Sequence, residues 1–129
     1  MDLRLYHNSH EFYYRSSFGA VPSGSRLILR LRAGGSDARN CRARIRLWQS
    51  NVGESFVPMT YQDGIFTGCV TMPPKGCLVW YYFIVDDGHE TVYYGNNYDR
   101  LGGEGAKYQD VPPAYQVTVY DKDAHTPDW

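Results

Sequence analysis

The acidic side chains are the first candidates for chemistry, since two carboxylates held about 5–10 Å apart across a substrate can act together in hydrolysis. Asp86 and Asp87 are neighbours in sequence, and successive side chains of an extended strand point to opposite faces of a sheet. Asp121 and Asp123 can share a face, but they lie near the end of the chain, with nothing to enclose a substrate. Neither pair predicts a hydrolytic centre.

Other catalytic motifs are also missing from the sequence. No serine lies in a Gly-x-Ser-x-Gly elbow, the sharp turn that exposes a nucleophile. The glycine-rich run 102–105 lacks the lysine and the strand-to-helix context of a phosphate-binding loop. We therefore expect no catalysis from this chain alone.

The cysteines and histidines form no metal-binding pattern. The chain has three cysteines, Cys41, Cys69 and Cys77, an odd and sparse set that does not predict a disulfide framework. Its four histidines are scattered and no Cys-x-x-Cys pair exists, so we predict no zinc site.

The loop 95–105 offers an alternative to the expectation that the chain has no cofactor. Calcium binds six to eight oxygen ligands, and this loop is rich in oxygen donors. These donors are Asn96, Asn97, Asp99 and Glu104. Their spacing fits no EF-hand, and ordinary turn chemistry is the favoured interpretation.

Charge excludes some partners. The chain has 13 basic and 14 acidic residues, which gives no electrostatic basis for binding nucleic acid or an anionic membrane. Arginines concentrate between residues 26 and 46, where adjacent strands would make a basic stripe for phosphate or an acidic polymer. A solvated sheet face whose arginine stems cover apolar surface is the favoured interpretation. No apolar run approaches the roughly 20 residues of a membrane helix.

The elements that position these residues are β-strands. Alternation of apolar and polar residues with a period of two predicts half-buried strands separated by turn residues. The predicted strands are 25–33, 42–49, 55–61, 65–72, 78–86, 91–95 and 115–120. Short strands at this spacing predict one all-β sandwich domain over 1–129, with an irregular lead-in at 1–20 that contains one or two short edge strands, and a linker at 121–129.

An Asp-Gly turn at residues 87–88 predicts a two-residue hairpin in which Tyr82 pairs with Tyr93. The face with Tyr81 and Phe83 is then the core face, and the opposite face carries Trp80, Tyr82 and Tyr93. Three interpretations of this second aromatic face compete: a sugar-stacking platform, a surface that docks on another domain, and a face covered by the loop 95–114. Trp48, which lies among arginines, is a fourth candidate, unless the lead-in covers it.

Several segments form a recognisable series along the chain. They are Tyr-Tyr-Arg-Ser at 13–16, Phe-Gly-Ala-Val-Pro at 18–22, the strand 27–32, the segment 78–88 with Tyr-Tyr-Gly at 93–95, the strand 115–120, and the closing Thr-Pro-Asp-Trp at 126–129. In this order the chain resembles the N-terminal domains of glycoside hydrolase family 13, in particular amylopullulanases, neopullulanases and maltogenic amylases.

The resemblance implies an immunoglobulin-like antiparallel β-sandwich of about seven to eight strands, and a catalytic (β/α)8 barrel that begins just after Trp129. The chain is then a non-catalytic accessory domain that packs on the barrel of an α-glucan hydrolase and binds α-glucan in some relatives. The alternatives are an autonomous starch-binding module and an immunoglobulin-like interaction domain unrelated to glucans. A homodimer is a further possible partner. The free cysteines and the lack of a signal peptide favour the cytoplasm over secretion.

Overall fold

The computed structural model describes residues 2–16, 20–50, 52–97 and 102–121. These residues form two packed β-sheets and one short 3-10 helix. In chain order the elements are β1 (Arg4–Tyr6), β2 (Ala20–Pro22), β3 (Arg26–Gly34), η1 (Ala38–Asn40), β4 (Arg42–Gln49), β5 (Gly53–Pro58), β6 (Thr60–Gln62), β7 (Ile65–Thr71), β8 (Cys77–Asp86), β9 (Thr91–Gly95), β10 (Ala106–Tyr108) and β11 (Tyr115–Tyr120).

The architecture confirms the predicted all-β sandwich. One sheet has the order β1-β3-β7-β6, and all of its pairs are antiparallel. The other is built around β8, which pairs with β4 along one edge and with β9 and then β11 along the other. Strands β5, β10 and β2 extend this seven-stranded sheet, and only the β2–β11 pair is parallel. Seven strands have five or more residues, in line with the expected count of seven to eight. Four strands of three residues bring the total in the described part of the chain to eleven.

The core lies between the sheets, on the faces that the alternation predicts. Leu29 of β3, Ile45 of β4 and Phe83 of β8 are fully buried, and their strand neighbours two positions away are buried too. The seven-stranded sheet also contributes stacked aromatic rings, since Tyr81 and Tyr115 lie 5.1 Å apart between ring centroids. Burial of these large apolar side chains is the dominant stabilising term of such a sandwich.

The predicted strand 55–61 is wrong as a single element. The chain instead changes sheets at Met59, because β5 pairs with β4 in the seven-stranded sheet and β6 pairs with β7 in the four-stranded sheet. The chain also changes sheets between β7 and β8, at the turn 73–76. These two strands follow each other in sequence but therefore do not pair with each other.

The hairpin between β8 and β9 is present, but its predicted register is wrong by two residues. Asp86 pairs with Thr91 and Ile84 with Tyr93, so the loop has four residues, 87–90. The Oδ1 atom of Asp87 accepts the backbone N–H groups of His89 at 2.9 Å and Glu90 at 2.8 Å, which closes the wider turn. Because a shift of two residues leaves each side chain on the same face of the sheet, the predicted core face and outer face are unchanged.

The lead-in 1–20 contains β1, β2 begins at its last residue, Ala20, and the lead-in also contributes to the core. His7 is completely buried. Its Nδ1–H donates to the carbonyl oxygen of Arg30 at 2.7 Å, and its Nε2 accepts the hydroxyl of Tyr81 at 2.9 Å. The ring centroids of Phe83 and Tyr115 lie 4.8 and 5.0 Å from its own. No local sequence pattern indicates that this histidine is buried. The predicted linker 121–129 lies outside the described residues, except for Asp121.

Candidate functional site

All four residues predicted for the aromatic face lie on the outer side of the seven-stranded sheet. Trp48 of β4 is the direct cross-strand partner of Trp80 of β8. Tyr82 is the next outward residue along β8, and its ring lies 6.1 Å from that of Tyr93 on β9. The structure therefore brings Trp48, which the sequence placed separately, next to the other three. We call this set and its outward-facing neighbours on β4, β5, β8 and β11 the outer aromatic surface.

The four side chains differ in accessibility. Trp48 is 41% exposed, which rules out a rim tryptophan covered by the lead-in. Trp80 and Tyr93 are half-buried. Tyr82 is only 7% exposed, so its ring offers little free surface for stacking. The described part of the 95–114 stretch adds β10 to the sheet beside Tyr93 and leaves Trp48 and Trp80 accessible.

Arginine 46 explains the burial of Tyr82. Its guanidinium carbon lies 5.3 Å from the Tyr82 ring centroid and 5.6 Å from that of Trp48. Its Nε donates to Glu54 on β5 at 2.7 Å, so the guanidinium is fixed above the sheet between two rings. Burial raises the pKa of the Tyr82 hydroxyl, although Arg46 acts in the opposite direction. Tyr82 is thus a neutral supporting residue beneath Arg46.

A second ion pair completes the polar part of the surface. Arg44 of β4 donates to Oδ2 of Asp86 at 3.3 Å, and its guanidinium carbon lies 5.7 Å from the ring centroid of Phe56. The charges of Arg44 and Arg46 are therefore balanced within the surface by Asp86 and Glu54. Exposed pairs of this kind stabilise the fold only slightly, but they define where the side chains lie.

Sequence reasoning missed three members of the outer aromatic surface. Phe56 is 50% exposed on β5, and Leu78 and Tyr120 are exposed on β8 and β11. Each occupies an outward position of its strand. The period-two alternation around residues 78 and 120 could have identified two of them, whereas Phe56 needed the pairing of β5 with β4.

The basic stripe that the arginines of residues 26–46 would make on adjacent strands does not form as one surface. Strands β3 and β4 belong to different sheets, so Arg26, Arg30 and Arg32 lie on the far side of the sandwich from Arg44 and Arg46. The guanidinium carbons of Arg30 and Arg32 lie 4.8 and 4.7 Å from the centroids of tyrosine rings of the lead-in.

The loop considered for calcium is held by its own amide side chains. Asn96 is buried, and its Oδ1 accepts the N–H groups of Asn97 at 2.9 Å and Gly102 at 3.1 Å. The Nδ2 group of Asn97 donates to the carbonyl oxygens of Gly102 at 2.8 Å and Glu104 at 3.3 Å. These bonds are turn chemistry. Asp99 lies outside the described residues, and the described part of the chain has no cluster of three acidic, histidine or cysteine side chains suited to a metal ion.

No helix within the described ranges is long and apolar enough to span a bilayer.

Comparison with known proteins places the chain among segments of much larger enzymes. It is 36% identical to part of an amylopullulanase of Thermoanaerobacterium thermosulfurigenes and 36% identical to part of an amylopullulanase of Thermoanaerobacterium saccharolyticum, in each case over 97% of its length. A third relative, an amylopullulanase of Thermoanaerobacter thermohydrosulfuricus, is 34% identical over 99% of the chain. The chain spans only 7%, 10% and 9% of these three proteins, respectively. No protein-family model matches it.

Proposed function

We propose that this chain, a homologue of a small segment of amylopullulanases, is a non-catalytic accessory domain of an α-glucan hydrolase. Its outer aromatic surface packs on the catalytic domain of the same enzyme. The observation that carries the proposal is the outer aromatic surface itself. The homology, which confirms the resemblance drawn from the sequence, supports the placement of this domain within a larger hydrolase.

The two neighbouring carboxylates of the hairpin, Asp86 and Asp87, support a non-catalytic role. Asp86 is paired with Arg44, and Asp87 caps the turn of the β8–β9 hairpin. Two backbone N–H donors lower the pKa of the Asp87 carboxyl below its usual value. A glycosidase acid needs the opposite, a raised pKa that keeps the proton available near neutrality. Asp86 and Asp87 therefore have structural roles, an ion pair and a turn cap.

The composition of the outer aromatic surface favours contact with a protein. Its exposed members are large apolar side chains, Trp48 and Phe56 among them, and aromatic residues together with arginine are enriched at protein interfaces. Two of its arginines already have carboxylate partners, since Arg46 is bonded to Glu54 and Arg44 to Asp86. A partner domain can then cover these two arginines without leaving either of them unpaired.

A second candidate function is direct binding of α-glucan, which the pairing of Trp48 with Trp80 favours. Directly opposed residues have Cβ atoms about 5 Å apart, so the two tryptophans are neighbours on one face of the sheet. Sugar rings have flat apolar faces, and Arg46 with Glu54 supplies hydrogen-bonding groups beside Trp48. This arrangement suits one or two glucose units.

Substitution at Trp48 separates the two functions. If the surface packs on the catalytic domain, Trp48→Ala lowers the midpoint of thermal unfolding of this domain more in the complete enzyme than in the isolated chain, because the 41% of the residue that is exposed in the isolated chain is covered in the enzyme. Tyr61→Ala is the matched control, since Tyr61 is 38% exposed on the other sheet, and we expect no additional loss in the complete enzyme.

Native gels containing soluble starch or pullulan test the second candidate. Retardation of the isolated chain that disappears in both Trp48→Ala and Trp80→Ala, and persists in Tyr61→Ala, would establish glucan binding on the outer aromatic surface. Equal thermal midpoints of wild type and Trp48→Ala in the complete enzyme would contradict packing on the catalytic domain.

A further inference from the structure

The outer face of the four-stranded sheet carries four arginines, Arg4, Arg26, Arg30 and Arg32. In contrast to Arg44 and Arg46, none of these four makes an ion pair with a carboxylate in the part of the chain that the structure describes. Uncompensated guanidinium groups on one face attract anions. The question is whether any pair of them is arranged to hold one.

Two of these arginines border one depression. Arg4 of β1 lies opposite Gly34 of β3, and Tyr6 lies opposite Arg32. Because Gly34 has no side chain, the Arg4 guanidinium extends across it, with Nε 3.7 Å from the position that a Cβ would occupy. Arg4, Tyr6, Arg32 and Gly34 thereby line a cavity of about 380 Å³, with Leu5 as the remaining wall.

Arg32 is held in place before any ligand arrives. Its guanidinium carbon lies 4.7 Å from the centroid of the Tyr6 ring. The Tyr6 ring in turn packs edge-on against Tyr14 at 5.0 Å, and its hydroxyl donates to Glu11 at 3.0 Å. A guanidinium that is already ordered loses less side-chain entropy when it binds.

Two acidic groups close to the cavity are engaged elsewhere. Asp2 accepts the backbone N–H of Ser36 at 2.8 Å and its hydroxyl at 2.9 Å, and these bonds, with a smaller effect of the Arg4 charge, hold the pKa of the Asp2 carboxyl below its usual value. Glu11 accepts from Tyr6 and from Asn8. The donors of Arg4 and Arg32 that face the cavity are therefore not occupied by these carboxylates.

We propose that the cavity between β1 and β3 binds a phosphate monoester, with Arg4 and Arg32 as its ligands. A phosphate dianion balances two guanidinium charges, whereas a carboxylate balances one. Guanidinium groups also form paired N–H···O bonds to phosphate oxygens. A phosphate carried by a sugar fits, because the cavity lies on the surface and leaves the ester side of the ligand in solvent.

Titration by NMR tests this proposal on the folded chain at constant ionic strength. Inorganic phosphate and glucose 6-phosphate are the probes, and acetate is the carboxylate probe. We expect saturable shifts of the Nε–H signals of Arg4 and Arg32 with a dissociation constant on the order of millimolar. Arg4→Gln and Arg32→Gln should each raise that constant roughly tenfold or more. Arg26→Gln, on the same face but outside the cavity, should leave it unchanged.

Gly34→Val provides a variant that removes no charge. Valine suits a strand, and its side chain would occupy the cavity floor beneath Arg4, so we expect a folded protein that no longer binds phosphate. Binding of glucose 6-phosphate as tight as that of free phosphate would support an ester ligand, and exclusion of the ester would overturn that part of the proposal. Unsaturable shifts, equal shifts with acetate, or unchanged binding in Arg4→Gln would overturn the site itself.

Discussion

Burial of His7 predicts that the chain loses stability as the pH falls below neutrality. Desolvation by burial is the main cause that lowers the pKa of His7 from 6.5 to about 4, and the nearby Arg15 charge acts in the same direction. The bond from Nδ1–H to Arg30 opposes this shift only partly. The folded protein therefore favours the neutral imidazole, which donates to Arg30 and accepts from Tyr81.

The sign and size of the effect follow from linkage. Stabilisation by neutral His7 is fully present above the unfolded pKa, near 6.5, and is lost as the pH falls through 6.5 toward 4. Each unit of pKa difference corresponds to about 1.4 kcal/mol. The full loss is thus about 3 kcal/mol, and the loss between about pH 7 and pH 5 is about 2 kcal/mol in the free energy of unfolding.

Chemical denaturation at a series of pH values measures this loss. His7→Gln keeps a polar side chain but has no titratable group, so its free energy of unfolding should vary much less between pH 7 and pH 5 than that of the wild type. His89→Gln, at an exposed histidine, should keep the wild-type dependence. If His7→Gln loses stability as steeply as wild type over this range, the reasoning from burial is wrong. Direct NMR titration of the His7 ring gives the same answer without a variant.

The remaining predictions concern close packing and thiol accessibility. A Cβ on Gly105 would clash with the hydroxyl of Tyr115 and with the backbone of β9, so Gly105→Ala should lower the free energy of unfolding by about 3 kcal/mol. Gly88 has a φ of +91° and no neighbouring atom within 4 Å of an added Cβ, so Gly88→Ala should cost only about 1 kcal/mol. Equal losses in the free energy of unfolding for the two variants, measured by denaturant unfolding, would contradict the clash at Gly105. Cys69 is exposed, whereas Cys41 is buried and burial raises its thiol pKa. Mass spectrometry after brief alkylation should therefore find Cys69 modified in the folded protein and Cys41 only after unfolding.

The faces of the strands could be predicted from the sequence because parity is a local property. Alternation in β3 and β4 identifies which side chains are buried, and in β8 it identifies the core face, although Tyr82 and Ile84 on its outer face are buried as well. These faces do not depend on which strands pair. The hairpin register was not accessible in the same way. The loop length depends on how the Asp87 side chain bonds to the following backbone, and the Asp-Gly pair alone fits both a two-residue and a four-residue turn.

Sheet membership and long-range burial could not be predicted from local pattern. The arginines of β3 and β4 are close together in sequence, but the chain passes from one sheet to the other between these two strands. Trp48 meets Trp80 only because β4 pairs with β8 across 32 positions of sequence. His7 is buried because the lead-in packs against Tyr81 and Tyr115, and the residues next to His7 in sequence do not predict that contact.

Hydrogen exchange, compared between the isolated chain and the same segment within the complete enzyme, tests the central proposal most directly. Packing of the outer aromatic surface on the catalytic domain predicts slower exchange in the enzyme along the edge strand β5, around Phe56, and at the loop next to Trp48. The four-stranded sheet, with β6 and Tyr61 at its edge, should exchange equally in both. Equal exchange of β5 in the two forms, or protection confined to the four-stranded sheet, would contradict the proposal.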